Sequence, residues 1–302
     1  MFGIVFEQTF ILFVLIMIGV ALEKSKILND TAVKAMTDVV LYVVTPAVII
    51  KSFAREKSAE TMNLLIVGFV ASLIIFAVYI IISSLLFGKA EEDEKVVLRF
   101  GTVFPNCGFM ALPLLQATIG DDGVLVGAAF VASFNIYVWT YGLFIMSGDG
   151  KSMSLKKIIF NPGIIGVAIG FVIFCFSIPM PRIIMEPISY MAGLNTPVPM
   201  IIIGYNICKT NLLKALANWR CIAVTVMRLI VLPLITVAAL KLVGVDGVLL
   251  TSMTICSAAP IAANTTMFAI KFNRATDISV NLVALSTLLS LITIPLIVSV
   301  VS

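Results

Sequence analysis

The run Phe104-Pro105-Asn106-Cys107-Gly108-Phe109-Met110-Ala111-Leu112-Pro113 breaks a long apolar stretch at the depth where a membrane helix ought to be continuous. Proline has no backbone N–H and its ring collides with the preceding turn, so Pro105 interrupts the helical ladder. Asn106 then supplies a capping side chain and Gly108 a permissive backbone. Broken backbone at membrane depth is tolerated only where it is buried in protein or lines a cavity. The pattern returns at Ala258-Ala259-Pro260-Ile261-Ala262-Ala263-Asn264-Thr265-Thr266. Two interrupted apolar segments at corresponding places in two halves point to the binding site of a transporter.

The rest of the chain reads as membrane sequence. Charged residues make up 12% of it and hydrophobic residues 61%, whereas soluble domains carry about 25% charge. A bilayer needs about 20 apolar residues per helix. Spans are predicted at 4–22, 35–53, 62–87, 96–118, 123–146, 158–178, 183–206, 219–243, 247–270 and 276–300. This gives an all-α membrane protein of ten transmembrane helices. The first run, Ile4 to Leu22, has no basic segment before it and no small-residue cleavage site after it, so it reads as a retained helix and not a signal peptide. Further proline breaks are expected at Thr45-Pro46 in span 2 and at Thr196-Pro197 with Pro199 in span 7.

These breaks repeat. A shift of 151 residues places Gly19 on Gly170 and Thr45-Pro46 on Thr196-Pro197, and a shift of 155 places Pro105 on Pro260 and Asp122 on Asp277. The chain therefore divides into two five-helix repeats, 1–150 and 151–302. Five is odd, so the second repeat enters from the opposite side and the repeat is inverted. Basic residues agree with this layout. Fourteen lie in loops opposite the N-terminus, five (Lys51, Arg55, Lys57, Arg182 and Lys241) lie on its own side, and Arg228 is within a span, which accounts for all 20. By the positive-inside rule both termini are outside the cell membrane. The net charge of +4 is spread over short loops, which argues against a nucleic-acid partner.

In this layout the second halves of spans 4 and 9 start near Asn106 and Ala262, and their N-termini face each other at the midplane. Each carries partial positive charge and free N–H groups, which suits an anion. Pro105, Asn106, Cys107, Gly108, Pro260, Asn264 and Thr265 are the candidate substrate contacts. The plain alternative is that the prolines only kink two packed helices. Arg228 lies roughly 13 Å into span 8 by helical rise, and a charge at that depth is costly unless paired. It is either a substrate contact or a residue that snorkels or caps a neighbouring helix end. Asn135 on span 5 is a further candidate, although interhelical hydrogen bonding explains such residues more often.

Other chemistry is excluded or disfavoured. There is no histidine, and the five cysteines stand singly in apolar runs, as small buried residues do. No zinc site, catalytic triad or Cys-His dyad can be assembled, so no enzyme and no resident cofactor is expected; the coupling ion, H+ or Na+, stays open. Every Asp and Glu falls in a loop or near a span end, which disfavours a cation–proton antiporter built on a midplane carboxylate. A membrane sensor using the same pocket without transport is the remaining rival, and no appended soluble domain is seen to carry its signal.

Phe104-Pro105-Asn106 through Leu112-Pro113-Leu114-Leu115 with Gly120-Asp121 resembles the fourth helix of the auxin efflux carrier family. Asn161-Pro162-Gly163, Thr196-Pro197 with Gly204, Ser286-Thr287-Leu288-Leu289-Ser290 and Ile294-Pro295-Leu296 fit the same family. The resemblance implies an inverted repeat whose spans 4 and 9 cross at Pro105 and Pro260. It implies a scaffold of spans 1, 2, 6 and 7, a transport domain of spans 3–5 and 8–10, and a homodimer built on the scaffold. It further implies elevator-type transport of a small organic anion, with Asn106 in the place of a substrate contact. Two departures are visible. No long hydrophilic loop separates spans 5 and 6, and Asn264-Thr265-Thr266 replaces a more apolar segment with a further proline. Short microbial members described as malonate- or malate-type carriers are the nearer analogy.

The charge asymmetry predicts that residues 88–95 and 147–157 face the cytoplasm. A single-cysteine variant at Ser152 should resist impermeant thiol reagents in intact cells and react after lysis. Ready labelling of intact cells would reverse the topology.

Overall fold

The computed structural model describes residues 2–148, 160, 162–208 and 212–301. The described residues form fourteen helices: α1 (Phe2–Lys24), α2 (Asp30–Phe53), α3 (Ala59–Leu85), α4 (Glu92–Val103), α5 (Cys107–Thr118), α6 (Asp121–Ser147), α7 (Pro162–Cys175), α8 (Arg182–Gly193), α9 (Pro197–Cys208), α10 (Leu212–Ala217), α11 (Trp219–Leu242), α12 (Gly247–Ala258), α13 (Asn264–Phe272) and α14 (Thr276–Ser299). No β-strand occurs among them. Six helices, α1, α2, α3, α6, α11 and α14, are long and apolar enough to cross a membrane, while α5, α7 and α12 are apolar but shorter. Asn161 and the 149–159 stretch lie outside the described residues.

Helix starts follow local chemistry. The Asn29 side chain accepts from Ala32 N (2.9 Å) at the start of α2, and Ser58 and Thr61 cap each other at the start of α3. Glu92, Asp93 and Glu94 open α4 and Asp121 and Asp122 open α6, where negative charge meets the positive end of the helix.

Proline has two outcomes. At Thr196-Pro197 the chain breaks between α8 and α9, with Pro197 as the first helical residue, where its missing N–H costs nothing. Thr45-Pro46 does not break its helix, contrary to expectation. A π-helical turn, Val40–Val44, precedes it, and Thr45 N reaches back five residues to Val40 O. The widened turn moves the carbonyl that the ring would strike. Pro113 and Pro233 follow the π-turns Cys107–Ala111 and Met227–Val231 in the same way.

Two close helix contacts stand out. α1 packs on α9 so tightly that a Cβ added at Gly19 would enter the Ile201 backbone, and one at Gly204 would overlap the Ile16 carbonyl. α7 packs on α2 with Gly166 against Pro46 and Gly170 against Phe53. Small residues let helices approach this closely in lipid, where apolar burial alone does not favour one helix over another.

The centre of the molecule is the crossing of two broken helices. The non-helical residues 104–106 and 260–262 pair antiparallel through Asn106 N to Pro260 O (2.6 Å) and Ala262 N to Phe104 O (3.0 Å). Ile261 N donates to Ser286 Oγ on α14 (3.1 Å). Arg228, fully buried on α11, serves the carbonyl ends of both halves. Its Nη1 donates to Thr102 O and Val103 O (3.1 Å each) at the end of α4, and its Nη2 to Ser257 O near the end of α12. The guanidinium lies 4.9 Å from the centre of the Tyr79 ring, and the Tyr79 hydroxyl is hydrogen-bonded to Thr236 (2.6 Å). Each helix C-terminus carries about half a negative charge, so two together match one buried cation.

Two stability predictions follow. Gly204→Leu should cost about 1–3 kcal/mol or more, because backbone lies where its side chain would be, while Gly193→Ala, with open space beside it, should be near neutral. Arg228→Met should cost several kcal/mol, at about 1–3 kcal/mol per orphaned carbonyl group, and Arg228→Lys should recover part. Thermal denaturation of the purified variants measures both; an Arg228→Met protein as stable as the parent would remove the capping role.

A candidate substrate cleft at the helix crossing

A cleft of about 220 Å3 opens beside the crossing. The chain break positions its polar end. Pro105 and Asn106 line it from the segment before α5, Gly108 from the first turn of α5, Asn135 from α6, Ala262 from the segment before α13 and Asn264 from its first residue. Asn106 is 5% exposed, and its side chain accepts from Phe109 N (3.4 Å), capping α5. A Cβ at Gly108 would meet nothing within 4 Å, so the absence of a side chain leaves room there. The Asn135 side chain donates to Val131 O (2.9 Å).

The cleft thus holds the N-termini of α5 and α13, with their partial positive charge, although Phe109 N is taken by Asn106 and the Thr265 and Thr266 N–H groups by Ala262 O and Ala263 O. The C-termini of α4 and α12 are turned to Arg228. Arg228 itself does not line the cleft, and neither do Cys107, Pro260 and Thr265, all of which are buried. Of the nine candidate residues, Pro105, Asn106, Gly108, Asn135 and Asn264 share the cleft.

Other lining residues carry weight that the sequence did not reveal. Lys271, on the last turn of α13, is the one charged side chain in the lining, and no Asp or Glu is among it. In the sequence it counts as one more basic loop residue. Phe268 stands one turn before it and meets Trp139 edge to face at 5.5 Å. Leu41, Tyr42 and Thr45 of α2, Met267 of α13, and Pro162 and Gly163 of α7 complete much of the wall. The lining extends from the crossing towards Lys271 and Pro162. Phe53, fully buried, and the Arg55–Asp122 pair lie outside the lining.

The arrangement can hold a small molecule with a negative end among donors and an apolar body against aromatic rings. It offers no paired carboxylates or thiolates to a metal, and no cluster of potential metal ligands occurs among the described residues.

The chain is 23% identical over 302 residues to an uncharacterized transporter of Methanocaldococcus jannaschii, covering 96% of each chain. It is 20% identical over 302 residues to an uncharacterized transporter of Methanothermobacter thermautotrophicus, again covering 96% of each. The family model described as membrane transport protein matches residues 4–298, so the chain belongs to that family, the one its sequence resembles through the auxin efflux carriers.

Proposed function

We propose that this transporter carries a small organic anion, of the carboxylate class, across the cell membrane, and that the anion binds in the cleft at the helix crossing. The observation that carries the reading is the convergence of two half-helix N-termini and Lys271 on a cleft without an acidic residue in its lining. A cation–proton antiporter would want a carboxylate there.

The reading extends to the whole molecule. Joining α4 to α5, α8 to α9 and α12 to α13, and setting aside the six-residue α10, gives ten spans, arranged as two inverted repeats of five. The glycine contacts support it: Gly19 and Gly204 face each other between α1 and α9, and their counterparts at a shift of 151, Gly170 and Phe53, face each other between α7 and α2. In the elevator mechanism spans 3–5 and 8–10 move against a scaffold of spans 1, 2, 6 and 7, the latter pairing in a homodimer. With both termini outside, the Lys271–Pro162 end of the cleft faces the cytoplasm. Coupling to H+ or Na+, or to neither, is compatible with the lining.

Selectivity should then follow charge. Phenylacetate and malonate share nearly the shape of their amides but gain more from donors and dipoles. Each helix terminus contributes about 0.3–1 kcal/mol, and up to ~2 where partly buried, so acid should be preferred about tenfold or more. Lys271→Gln should remove part of that preference, Asn106→Ala should weaken binding of the acid, and Arg228→Gln should leave the preference intact in protein that still folds. Ligand-induced thermal shifts of purified protein measure all of these. Equal affinity for acid and amide in the parent would exclude the carboxylate class.

A further inference from the structure

Arg55, just after α2, pairs with Asp122 in the first turn of α6, and each partner is held by its own surroundings. Phe53, fully buried, packs edge-on against Phe174 of α7 (6.1 Å between ring centres) and against Gly170. Ala54 then forms an inverse γ-turn (φ −77°, ψ 64°) in which Arg55 N donates to Phe53 O (2.8 Å). Arg55 is thus tied to α2 and α7. Asp122 is tied to α5, because α6 packs so closely there that a Cβ at Gly127 would come within 2.6 and 2.7 Å of the Leu115 and Leu112 side chains. In the elevator layout α2 and α7 belong to the scaffold, and α5 and α6 to the moving domain. Among the described residues this is the one ion pair that joins the two. Arg220–Glu94 and Arg274–Asp93 lie within the moving domain, and Lys95–Glu92 and Arg182–Glu186 within single helices.

The helix start does not need this pair. The shift of 155 residues that places Pro105 on Pro260 places Gly120 on Ala275 and Asp122 on Asp277, which opens α14 as Asp122 opens α6. A carboxylate there meets the positive end of the helix by itself. Asp277 is exposed, makes no ion pair among the described residues, and borders a cavity of about 380 Å3 with Asn273 and Thr276. Of two repeat-related turns, one is clasped and the other is open. The clasp is also loose. Arg55 reaches the carboxylate through Nη2, while its Nη1 is buried without a partner, so the guanidinium fork is half used.

We infer that the Arg55–Asp122 pair is an outer latch that belongs to one state of the transporter. It is made while the cleft opens towards Lys271 and Pro162, and it is broken when α5 and α6 move past α2 and α7. The two partners are anchored to different bodies, so no side-chain adjustment keeps them together through that movement. A pair this weak biases the balance between the two states and does not lock either. The inference rests on the elevator reading, is independent of the substrate's class, and adds a contact that sets the resting orientation.

The test reads which way the cleft opens. Met267 lines the cleft and is 46% exposed, so Met267→Cys serves as a reporter once Cys175 and Cys208 are replaced by alanine; Cys107, Cys221 and Cys256 are fully buried. The full-length reporter protein is alkylated with an impermeant thiol reagent in right-side-out and in inside-out membrane vesicles, without ligand. It should react faster in inside-out vesicles, which present the cytoplasmic face. Arg55→Gln and Asp122→Asn should each raise the rate in right-side-out vesicles about twofold to fivefold, the scale of one half-exposed ion pair. The double variant should gain no more than either single one, because both remove the same contact. Arg55→Lys, which keeps the charge, should stay near the reporter protein's own rate. Unchanged rates in both single variants, or effects that add in the double one, overturn the latch and leave the elevator reading in place. A reporter that reacts faster in right-side-out vesicles overturns the proposed orientation and the latch with it. Should Asp122→Asn fail to insert, Arg55→Gln against Arg55→Lys decides.

Discussion

A helix broken at membrane depth leaves carbonyls on one side and N–H groups on the other, with no water to receive either. Everything at the centre of this molecule answers that problem. The non-helical residues 104–106 and 260–262 satisfy one another by pairing. The two carbonyl ends converge on Arg228, whose planar fork reaches two helix ends at once, as a lysine's single point could not. The two helix N-termini face the cleft instead. Charge is thereby sorted: the protein supplies its own cation to the C-termini and leaves the positive ends of the dipoles on the cleft side.

This division explains why one buried arginine and one cleft lysine are not interchangeable. Arg228 is surrounded by carbonyl oxygens and the Tyr79 ring, so its charge is neutralised before any substrate arrives. Lys271 has the Phe272 ring at 5.8 Å and is exposed, so its charge is available to an incoming anion. The same sorting makes the apolar part of the lining intelligible. Tyr42, Phe109, Phe134, Trp139 and Phe268 lower the local dielectric, which strengthens any interaction between the dipoles and a bound charge.

Much of this was legible in the sequence, for a physical reason. Pro105 and Pro260 are local events with obligatory backbone consequences, and the recurrence of the pattern carried both breaks and the place of the cleft. The two readings of Arg228 were visible as well, since a charge at that depth needs partners. What was not legible depended on distances between segments. Lys271 has the same sequence context as any basic residue near a helix end, and only the packing of α13 places it beside the crossing. Cys107, Pro260 and Thr265 neighbour cleft residues in sequence, yet helical rotation turns Cys107 and Thr265 into the interior and the backbone pairing at the crossing buries Pro260. Thr45-Pro46 and Thr196-Pro197 are the same dipeptide, but one sits behind a π-turn and the other opens a helix. The difference lies in the turn before the proline, which no propensity encodes.

The Arg55–Asp122 pair carries a last consequence for the proposed cycle. Arg55, after α2, pairs with Asp122 at the start of α6, with side chains 27% and 42% exposed. By contrast, Arg220 pairs with Glu94 and Arg274 with Asp93, all within α4 and the α11–α14 region. A half-exposed pair contributes about 0–1 kcal/mol, too little to hold a transporter shut. The buried crossing, with its paired backbone and capped carbonyls, is far harder to pull apart. In an elevator cycle the crossing therefore moves as one piece past the cleft walls that α2 and α7 supply. The weak Arg55–Asp122 pair is the kind of contact that such a movement can make and break at each turn.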